Sequence, residues 1–453
     1  MRQVVFRLPI PGLYPEGVPI YGYGLMLFIA FIVCTWLAGR RAQKEGIARE
    51  HIQDLAIWLF IGGLVMARVV YLINEINNGR ITSVGDFLWQ FPRIWDGGVI
   101  LYGAVIGGLL GYLLGYFFIV RKHHLSSWKI ADLAAPSIAL GLCLGRVGCL
   151  LNGCCYGHVA CPDCPGVSFP LSAPARFPLV AEGYQSAAGF VLVSAADDPR
   201  TVASVDPTSS AGRAGLRPGD VIVLANDQPI KHPDELRERV RGLEAGQELT
   251  LTVERDGRRE VLEPMLRPTL ADFQTIDSRV VKAVMPGSAA AQAGLEKWDR
   301  IIKVRIRRDL IHHDDHNVDD ASDLSRYLDA HQWPRGESTL TLTVVKPDNR
   351  EQVLSFEPRT LPLYPTQVFE SVSMFLLFLL LTAFYPLRRH DGEVIALLMV
   401  GYAIHRYLNE MLRNDVRPEG FEKYASILLF VAGLVIFVWL RRKPAQYPAR
   451  AKV

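Results

Sequence analysis

The sequence predicts a polytopic α-helical membrane protein with about seven transmembrane helices and an inserted α+β region on the non-cytoplasmic side. Half of its 453 residues are apolar, and the long apolar runs lie before about Asn152 and after about Thr366. The stretch between them is rich in Asp, Glu, Arg, Pro and Gly. The net charge of +3 is too small to indicate nucleic-acid binding, and no Lys/Arg stripe with interleaved aromatic residues is present.

Seven segments are long enough to cross about 30 Å of hydrocarbon, which takes roughly 20 mostly apolar residues at helical rise. They are 21–39, 55–73, 98–120, 131–152, 366–385, 392–412 and 423–440. The first apolar run lacks the basic region and the small-residue cleavage site of a signal peptide, so we expect it to be retained as a span.

Basic residues in the short loops predict the orientation, because Lys and Arg accumulate on the cytoplasmic side. They follow spans one, three, five and seven: Arg40, Arg41, Lys44 and Arg49; Arg121, Lys122 and Lys129; Arg388 and Arg389; Arg441, Arg442 and Lys443. These loops and the C-terminus are therefore expected in the cytoplasm, and the N-terminus and the insert outside it.

Polar residues inside the spans are concentrated towards the predicted outer side. An ionisable residue in a span costs about 2.5–3.5 kcal/mol, so each one is a functional candidate. The set comprises Tyr23, Arg68, Tyr102, Arg146, Glu370, Arg406 and Glu410. We expect them to form one polar pocket near the outer leaflet.

Two arginines at similar depth on different helices, Arg146 and Arg406, indicate an anion site, because two guanidinium groups repel unless an anion lies between them. A lipid phosphate is the anion most available there, and Arg can bind it with two hydrogen bonds. Arg406, Glu410 and Arg413 follow the spacing i, i+4, i+7, so Arg406 and Glu410 can pair on one helix face. A purely structural ion pair remains an alternative for each residue. The glycines of span three, Gly103, Gly107, Gly108 and Gly111, are explained by close helix packing.

The segment from Gly145 to Gly157, GRVGCLLNGCCYG, resembles the signature of bacterial prolipoprotein diacylglyceryl transferases. Other family motifs resemble further segments in the same order along the chain: Tyr23-Gly24-Leu25-Met26, Ala67-Arg68 with Tyr71, Trp95-Asp96-Gly97-Gly98, Tyr364 to Glu370, and Arg406 with Glu410 and Arg413. The resemblance covers the membrane part and not the insert.

The resemblance implies an enzyme of the bacterial cytoplasmic (inner) membrane that transfers the diacylglyceryl group of phosphatidylglycerol to the lipobox cysteine of preprolipoproteins. It implies catalytic roles at the positions of Arg146, Arg406 and Tyr102, without a metal or a cofactor. It also implies a phosphatidylglycerol site whose candidate residues are Tyr23, Arg68, Arg146, Asn152, Gly157, Glu410 and Arg413.

The chain departs from the family pattern at several positions. Tyr102 stands where the family usually has a histidine; a tyrosine with its ordinary pKa near 10 is a poor base at neutral pH but can hydrogen-bond. Cys149 and Cys154 stand where asparagine and glutamate are common, and Tyr424-Ala425-Ser426 replaces a glycine-glutamine pair. These departures leave an alternative: a non-catalytic membrane scaffold or peptide receptor. A membrane peptidase has little support, since HExxH and GxSxG motifs and an intramembrane aspartate pair are absent from the sequence.

Five of the seven cysteines lie between Cys149 and Cys164, with His158 among them, and Cys161 and Cys164 form a CxxC motif. A disulfide or free thiols are favoured on an oxidising side of the membrane, and a zinc site that recruits Cys154, Cys155 or His158 is the alternative.

The predicted organisation is a membrane part at 1–182 with the Cys-rich loop, two soluble repeats at 183–268 and 269–362, and a second membrane part at 363–453. Each repeat has an Ala-Gly-Leu segment before an aspartate, then a predicted helix (233–243 and 321–331), then an alternating strand (249–253 and 340–344). They resemble tandem PDZ domains, which bind peptides by strand addition. The loop at Gly189 and Phe190 is the candidate peptide site of the first copy; a structural module is the alternative.

Overall fold

The computed structural model describes residues 3–10, 14–79, 81, 83–92, 100–161, 163–194, 196–244, 247–266, 268, 272–307, 313–329, 333, 336–414 and 421–446. Over this part of the chain the α-helices, numbered in chain order, are α1 (Gly22–Lys44), α2 (Arg49–Asn77), α3 (Val84–Gln90), α4 (Leu101–Gly115), α5 (Ser127–Asn152), α6 (Arg176–Ala181), α7 (Ser210–Arg213), α8 (Pro233–Arg241), α9 (Ala289–Gln292), α10 (Ala321–Tyr327), α11 (Thr366–Phe384), α12 (Glu393–Glu410) and α13 (Phe421–Arg441).

The strands, numbered in the same way, are β1 (Val4–Ile10), β2 (Tyr14–Tyr21), β3 (Phe190–Leu192), β4 (Val202–Val205), β5 (Val221–Ala225), β6 (Gln228–Pro229), β7 (Glu248–Leu249), β8 (Leu251–Arg255), β9 (Arg258–Val261), β10 (Met265–Leu266), β11 (Phe273–Thr275), β12 (Val281–Val284), β13 (Arg300–Arg307), β14 (His313–Asn317), β15 (Leu340–Val345) and β16 (Glu351–Phe356).

The chain divides into two compact units. The helical unit comprises Tyr23–Cys149, Thr366–Arg413 and Arg417–Val453. The β-rich unit comprises Met1–Gly22, Leu150–Pro365 and Asn414–Val416.

Among the described residues, six helical segments are long and apolar enough to cross a membrane. They are Gly22–Lys44, Arg49–Asn77, Gly103–Val120, Ser127–Asn152, Thr366–Leu387 and Tyr424–Arg441. These segments confirm a polytopic helical membrane protein. The sixth predicted span forms the 18-residue helix α12, but α12 is not among the six. Its three charged residues, Glu393, Arg406 and Glu410, make this helix too polar to be counted by hydropathy as a membrane-crossing segment.

A glycine stripe brings α4 against α2, as the packing interpretation predicts. A Cβ atom on Gly103 would lie 2.5 Å from the carbonyl oxygen of Met66, and one on Gly107 would lie 2.0 Å from that of Gly62. A Cβ on Gly111 would lie 2.3 Å from the Trp58 carbonyl oxygen. Only glycine permits this approach of the two backbones, so these residues serve helix packing.

The two sequence repeats have equivalent structures. Each contains a four-stranded antiparallel sheet, in the order β6-β5-β8-β9 for the first and β14-β13-β15-β16 for the second. In the first repeat the buried Asp220 pairs with Arg255 at 2.7 Å, and in the second the buried Asp299 pairs with Lys346 at 2.9 Å. The equivalent turn in each repeat thus contains a buried aspartate, Asp220 or Asp299, that pairs with a basic residue.

Trp298 occupies the place in the second turn that Gly219 occupies in the first. Both have positive φ, 77° for Trp298 and 96° for Gly219, a conformation that strains a bulky residue. A Cβ on Gly219 would lie 3.3 Å from Cζ2 of Trp298, so the indole lies against the glycine of the other repeat. The departure from glycine in the second copy therefore contributes a contact between the copies.

The strand pairing of the repeats differs from the predicted division at residue 268. Strand β3 pairs with β12, and Phe190 lies in a hydrophobic core with residues of the second repeat such as Val281 and Leu295. Strand β11 pairs with β4, and Phe273 lies in the core of the first repeat. Strand β3, which precedes the first repeat in the sequence, therefore belongs to the second repeat, and β11, which follows the predicted boundary, belongs to the first. The first repeat is thus inserted within the second.

The insert leaves and rejoins the rest of the β-rich unit at neighbouring points. The backbone N–H of Leu361 donates to Oε1 of Gln185 at 2.7 Å. The backbone N–H of Thr360 donates to the carbonyl of Phe169 at 2.9 Å, and the N–H of Phe169 donates to the Thr360 hydroxyl at 2.9 Å. Entry and exit segments are thus held side by side.

Candidate active site

Arg146, near the end of α5, pairs with Glu370 in the first turns of α11. Nε of Arg146 lies 2.9 Å from Oε1 of Glu370, whose side chain is only 1% exposed. The other carboxylate oxygen of Glu370 accepts a hydrogen bond from Nδ2 of Asn409 on α12 at 3.0 Å. Glu370 therefore joins three helices at one buried point, and Asn409 is a member of this cluster that the sequence analysis missed. Its position three residues after Arg406 on the same helix was the available signal.

Arg406 and Glu410 form the predicted i, i+4 pair on α12, with Nη1 of Arg406 3.1 Å from Oε2 of Glu410. Each arginine of the candidate anion site thus has a carboxylate partner within the helical unit. Because these protein carboxylates balance the two guanidinium groups, no external anion is needed to separate them. The side chains of Arg146 and Arg406 nevertheless remain 16% and 13% exposed, so a ligand can reach both.

Tyr23, in the first turn of α1, packs against the signature segment of α5. A Cβ atom on Gly148 would lie 3.2 Å from Cδ2 of Tyr23 and 3.3 Å from Cβ of Met26. Glycine at 148 therefore makes room for the tyrosine ring two residues from Arg146. This contact links two of the motifs on which the family resemblance rests.

Arg68 is buried on α2 and its guanidinium group is directed at the end of α3. Nη2 donates to the carbonyl of Gln90 at 2.6 Å and Nε donates to that of Phe91 at 3.3 Å. A cation at the carbonyl end of a helix is stabilised by the helix dipole. The contacts of Arg68 thus support the local fold, a role that the sequence analysis did not foresee.

The remaining candidates lie in different surroundings. Arg413 is half-buried just beyond α12. Asn152 is the last residue of α5, and its carbonyl accepts from the Gln3 side chain at 2.9 Å. Gly157, in the β-rich unit, donates its N–H to the carbonyl of Tyr364 at 3.0 Å. Tyr102 lies in the first turn of α4, but its side chain is outside the described residues, as is the Trp95–Gly98 motif.

Cys161 and Cys164 form a disulfide, as the oxidising-side interpretation favours. The hydroxyl of Tyr364 donates to Sγ of Cys164 at 3.4 Å. Backbone bonds between Ala160 and Pro362 and between Val167 and Leu363 attach this loop to the segment that precedes α11. With both sulfurs bonded to each other, this CxxC motif is not a zinc ligand pair in this state.

The predicted peptide loop at Gly189 and Phe190 belongs to the second repeat, not to the first, because β3 pairs with β12. The N–H of Gly189 donates to the Ser186 hydroxyl at 3.1 Å, and its carbonyl accepts from the N–H of Met285 at 2.9 Å. Phe190 is 5% exposed within the core. The N–H of Gly189 is thus already bonded and Phe190 is a core residue, although Gly189 also lines a cavity of about 700 Å³.

The fold and the cluster around Glu370 define a polytopic membrane protein whose helices enclose paired arginines and carboxylates. A family model described as prolipoprotein diacylglyceryl transferase matches residues 12–233 and 331–439. The chain belongs to the prolipoprotein diacylglyceryl transferase family.

Several curated relatives carry the name phosphatidylglycerol–prolipoprotein diacylglyceryl transferase. One from Rhodopirellula baltica is 35% identical over 234 residues, which are 49% of this chain and 46% of the relative. One from Clostridium tetani is 36% identical over 157 residues, 35% of this chain and 56% of the relative. One from Acaryochloris marina is 34% identical over 187 residues, 41% of this chain and 62% of the relative. The chain spans about half the length of the curated relatives it matches.

Proposed function

We propose that this protein transfers the diacylglyceryl group of phosphatidylglycerol to the lipobox cysteine of preprolipoproteins at the outer face of the bacterial cytoplasmic membrane. The observation that carries the proposal is the pair of accessible arginines, Arg146 and Arg406, each held by a carboxylate inside the helical unit of a chain from this family.

In the proposed reaction the cysteine sulfur forms a bond to the glyceryl carbon, and the bond from that carbon to the phosphate oxygen breaks. Glycerol phosphate leaves with the electron pair, so negative charge grows on the phosphate in the transition state. Arg146 and Arg406 stabilise that charge, which is the kind of contribution that dominates many enzymatic rate enhancements. Glu370 and Asn409 fix the orientation of Arg146 before the lipid arrives.

The sulfur must lose its proton to become a good nucleophile, and in the overall reaction that proton passes to solvent. Tyr102 stands at the position where the family usually has a histidine, and we assign it a hydrogen-bonding role towards the reacting groups rather than that of the base. Tyr23, Arg68, Asn152, Gly157, Glu410 and Arg413 remain the proposed surroundings of the phosphatidylglycerol.

The proposed topology has the N-terminus and the insert outside the cytoplasm and the C-terminus inside it. Two independent features support it. Basic residues follow α1, precede α5 and follow α13. The disulfide between Cys161 and Cys164 requires an oxidising compartment. A labelling experiment in intact cells tests this topology. A membrane-impermeant thiol reagent should attach to a cysteine placed at the exposed Tyr184 but not to one placed at the exposed Arg121.

The decisive experiment measures transfer of labelled diacylglycerol from phosphatidylglycerol to a lipobox peptide by the purified protein. Arg146→Ala and Arg406→Ala should each lower kcat/KM at least 100-fold, while Arg121→Ala, an exposed arginine outside the cluster, should leave it unchanged. An intact protein without transfer activity whose insert still binds peptides would instead support the non-catalytic scaffold.

For the insert, we propose two PDZ-like modules that bind extended peptides, and a specific groove favours this. A cavity of about 210 Å³ lies between α8 and β11 in the first module. Its lining combines buried apolar side chains, Leu236, Phe273 and Ile276, with three arginines, Arg237, Arg279 and Arg300, and one carboxylate, Asp277, which pairs with Arg279 and Arg300. Arg300 donates to the Gln274 side chain and to the Thr275 carbonyl, so its charge lies along β11. An apolar wall with excess positive charge suits a peptide that ends in a carboxylate.

Delivery of preprolipoproteins by the insert is testable. Deleting residues 185–360 should slow lipidation of some substrates in cells but not transfer to a short lipobox peptide. Unchanged lipidation of every substrate would exclude the delivery role and leave a structural one.

A further inference from the structure

A fully buried carboxylate, that of Asp132 near the start of α5, caps the beginning of a different helix. Oδ2 of Asp132 accepts from the backbone N–H of Gly392 at 2.8 Å. Oδ1 accepts from the N–H groups of Val394 at 3.0 Å and Ile395 at 2.9 Å. The side chain is 0% exposed. Three backbone N–H groups at the start of α12, which have no acceptor within that helix, therefore donate to a side chain of α5.

The backbone of α12 is shaped for this contact. Gly392, the residue before α12, has φ of 102°, which only glycine adopts without strain. A Cβ atom there would lie 2.7 Å from Cε3 of Trp128, on the same helix as Asp132. Both the conformation and the space require glycine, so the contact depends on both sides.

The end of α1 is attached to the same point. Glu45, the residue after α1, lies 2.9 Å from Nη2 of Arg388, and Nε of Arg388 lies 4.0 Å from Oδ2 of Asp132. Glu45 also lies 3.4 Å from Nζ of Lys129 on α5. Arg388 thus connects the carboxylates of α1 and α5. We call this set, Asp132, Gly392, Arg388 and Glu45, the basal joint.

The helices that meet at the basal joint carry the candidate active-site residues at their other ends. Fourteen positions separate Asp132 from Arg146 on α5, and fourteen separate Gly392 from Arg406 on α12. At 1.5 Å rise per residue, both arginines lie about 21 Å along their helices from the joint. Tyr23 lies at the opposite end of α1 from Glu45. Because both helices meet at the basal joint and the two spacings are equal, Arg146 and Arg406 lie at the same distance from the joint along their helix axes.

We propose that Asp132 is a positioning residue for the transfer reaction: by capping α12 it sets the axial register of α5 and α12 and hence the relative height of Arg146 and Arg406. A shift of α12 by one residue would move Arg406 by about 1.5 Å along the helix axis and rotate it by about 100°. Misplacement of this size is enough to lower rates about 100-fold. The catalytic part of this inference rests on the proposed function; the register part does not.

The test uses the full-length protein in proteoliposomes of phosphatidylglycerol and phosphatidylethanolamine. Asp132→Asn removes the charge and one acceptor, and Gly392→Ala breaks the same contact from the other helix. Each should lower kcat at least 10-fold, and the double variant should be no worse than the poorer single variant, because both act on one contact. The control is Ser137→Ala, which removes a different, partly buried hydrogen bond of α5, from Nη1 of Arg41 at 3.1 Å; it should keep kcat within about twofold.

The register is measured separately by electron spin resonance between nitroxides at the exposed positions Ile138 on α5 and Ile404 on α12, introduced through p-azidophenylalanine so that free cysteines do not react. The distance distribution should shift or broaden in Asp132→Asn and Gly392→Ala and not in Ser137→Ala. Wild-type distances in both joint variants would overturn the proposal, as would an equal loss of kcat in Ser137→Ala. If the wild-type protein had no transfer activity, the proposed function would fail while the distances would still decide the register.

Discussion

Glu370 and Arg146 form an ion pair with 2.9 Å between Oε1 and Nε, and the carboxylate of the pair is almost completely buried. Because Asn409 donates to the second oxygen of the same carboxylate, Glu370 is fixed from two sides. A guanidinium group held in this way is oriented before any substrate binds. The pair therefore contributes both to the stability of the helical unit and to the geometry of the candidate site.

Replacing Glu370 should destabilise the protein more than replacing Glu410. Glu370→Ala removes a carboxylate that is only 1% exposed and that pairs with Arg146, and loss of one partner of a buried pair costs about 3–5 kcal/mol. Glu410→Ala removes a partner that is 19% exposed, and the cost should be about 1 kcal/mol. Thermal unfolding in detergent measures the difference. Equal melting temperatures of the two variants would contradict the structural role of the Glu370 pair.

Introducing the family's usual residue at position 102 should add a pH dependence. Tyr102→Phe removes a hydrogen-bonding hydroxyl and should lower kcat/KM about 10-fold. Tyr102→His should retain activity, and its rate should fall below about pH 6.5, where an unperturbed imidazole becomes protonated and loses its ability to accept a proton. The wild-type protein, assayed over the same range, is the control. A Tyr102→His profile that overlays the wild-type profile would show that residue 102 does not contact the reacting groups, and would contradict the assigned role.

The disulfide between Cys161 and Cys164 should stabilise its loop without being needed for transfer. The loop it closes has only two intervening residues, so the entropic model gives a contribution of about 2 kcal/mol. The Cys161→Ser/Cys164→Ser variant should therefore melt a few degrees lower and keep its kcat/KM. Added zinc should change neither quantity. If the wild-type protein lost activity under reducing conditions and added zinc restored it, the metal-site alternative would be favoured.

The nested strands predict which fragments of the insert fold alone. A fragment of residues 197–277 contains β11 and should unfold cooperatively in urea. A fragment of residues 183–268 lacks Phe273, which is 5% exposed in the first core, and should be less stable by about 3–5 kcal/mol. Conversely, deleting 196–278 should leave the second module folded, because the N–H of Val193 already donates to the carbonyl of Val280 at 2.9 Å. Equal stability of the two fragments would contradict the nesting.

The membrane helices were largely predictable, because hydropathy reports directly on burial in lipid. The ends of the predicted spans differ from those of the observed helices by up to six residues, for example 55–73 against Arg49–Asn77 and 131–152 against Ser127–Asn152. The pairing of Arg406 with Glu410 was also predictable, since it depends only on local helical spacing. The pairing of Arg146 with Glu370 was not, because it joins residues 224 positions apart through the packing of two helices.

The strand exchange was not predictable from the pattern either. The two repeats are similar enough that the strand before β4 and the strand before β12 each fit either copy, so only the three-dimensional pairing decides between them. The same similarity led to the assignment of Gly189 and Phe190 to the first copy. Arg68 shows a related limit: its charge marked it as a candidate, but its backbone partners at Gln90 and Phe91 are not visible in the sequence.

The hydrogen bond between Leu361 and Gln185 places the entrance and the exit of the insert side by side. A loop whose ends are already neighbours can be lengthened, exchanged or lost by recombination without stretching the helices it joins. The family model leaves residues 234–330, about half of the insert, unmatched between its two matched segments. We therefore expect the protein to tolerate exchange of the insert, and the junction of Gln185 with Leu361 is the place to graft a reporter or a foreign binding domain.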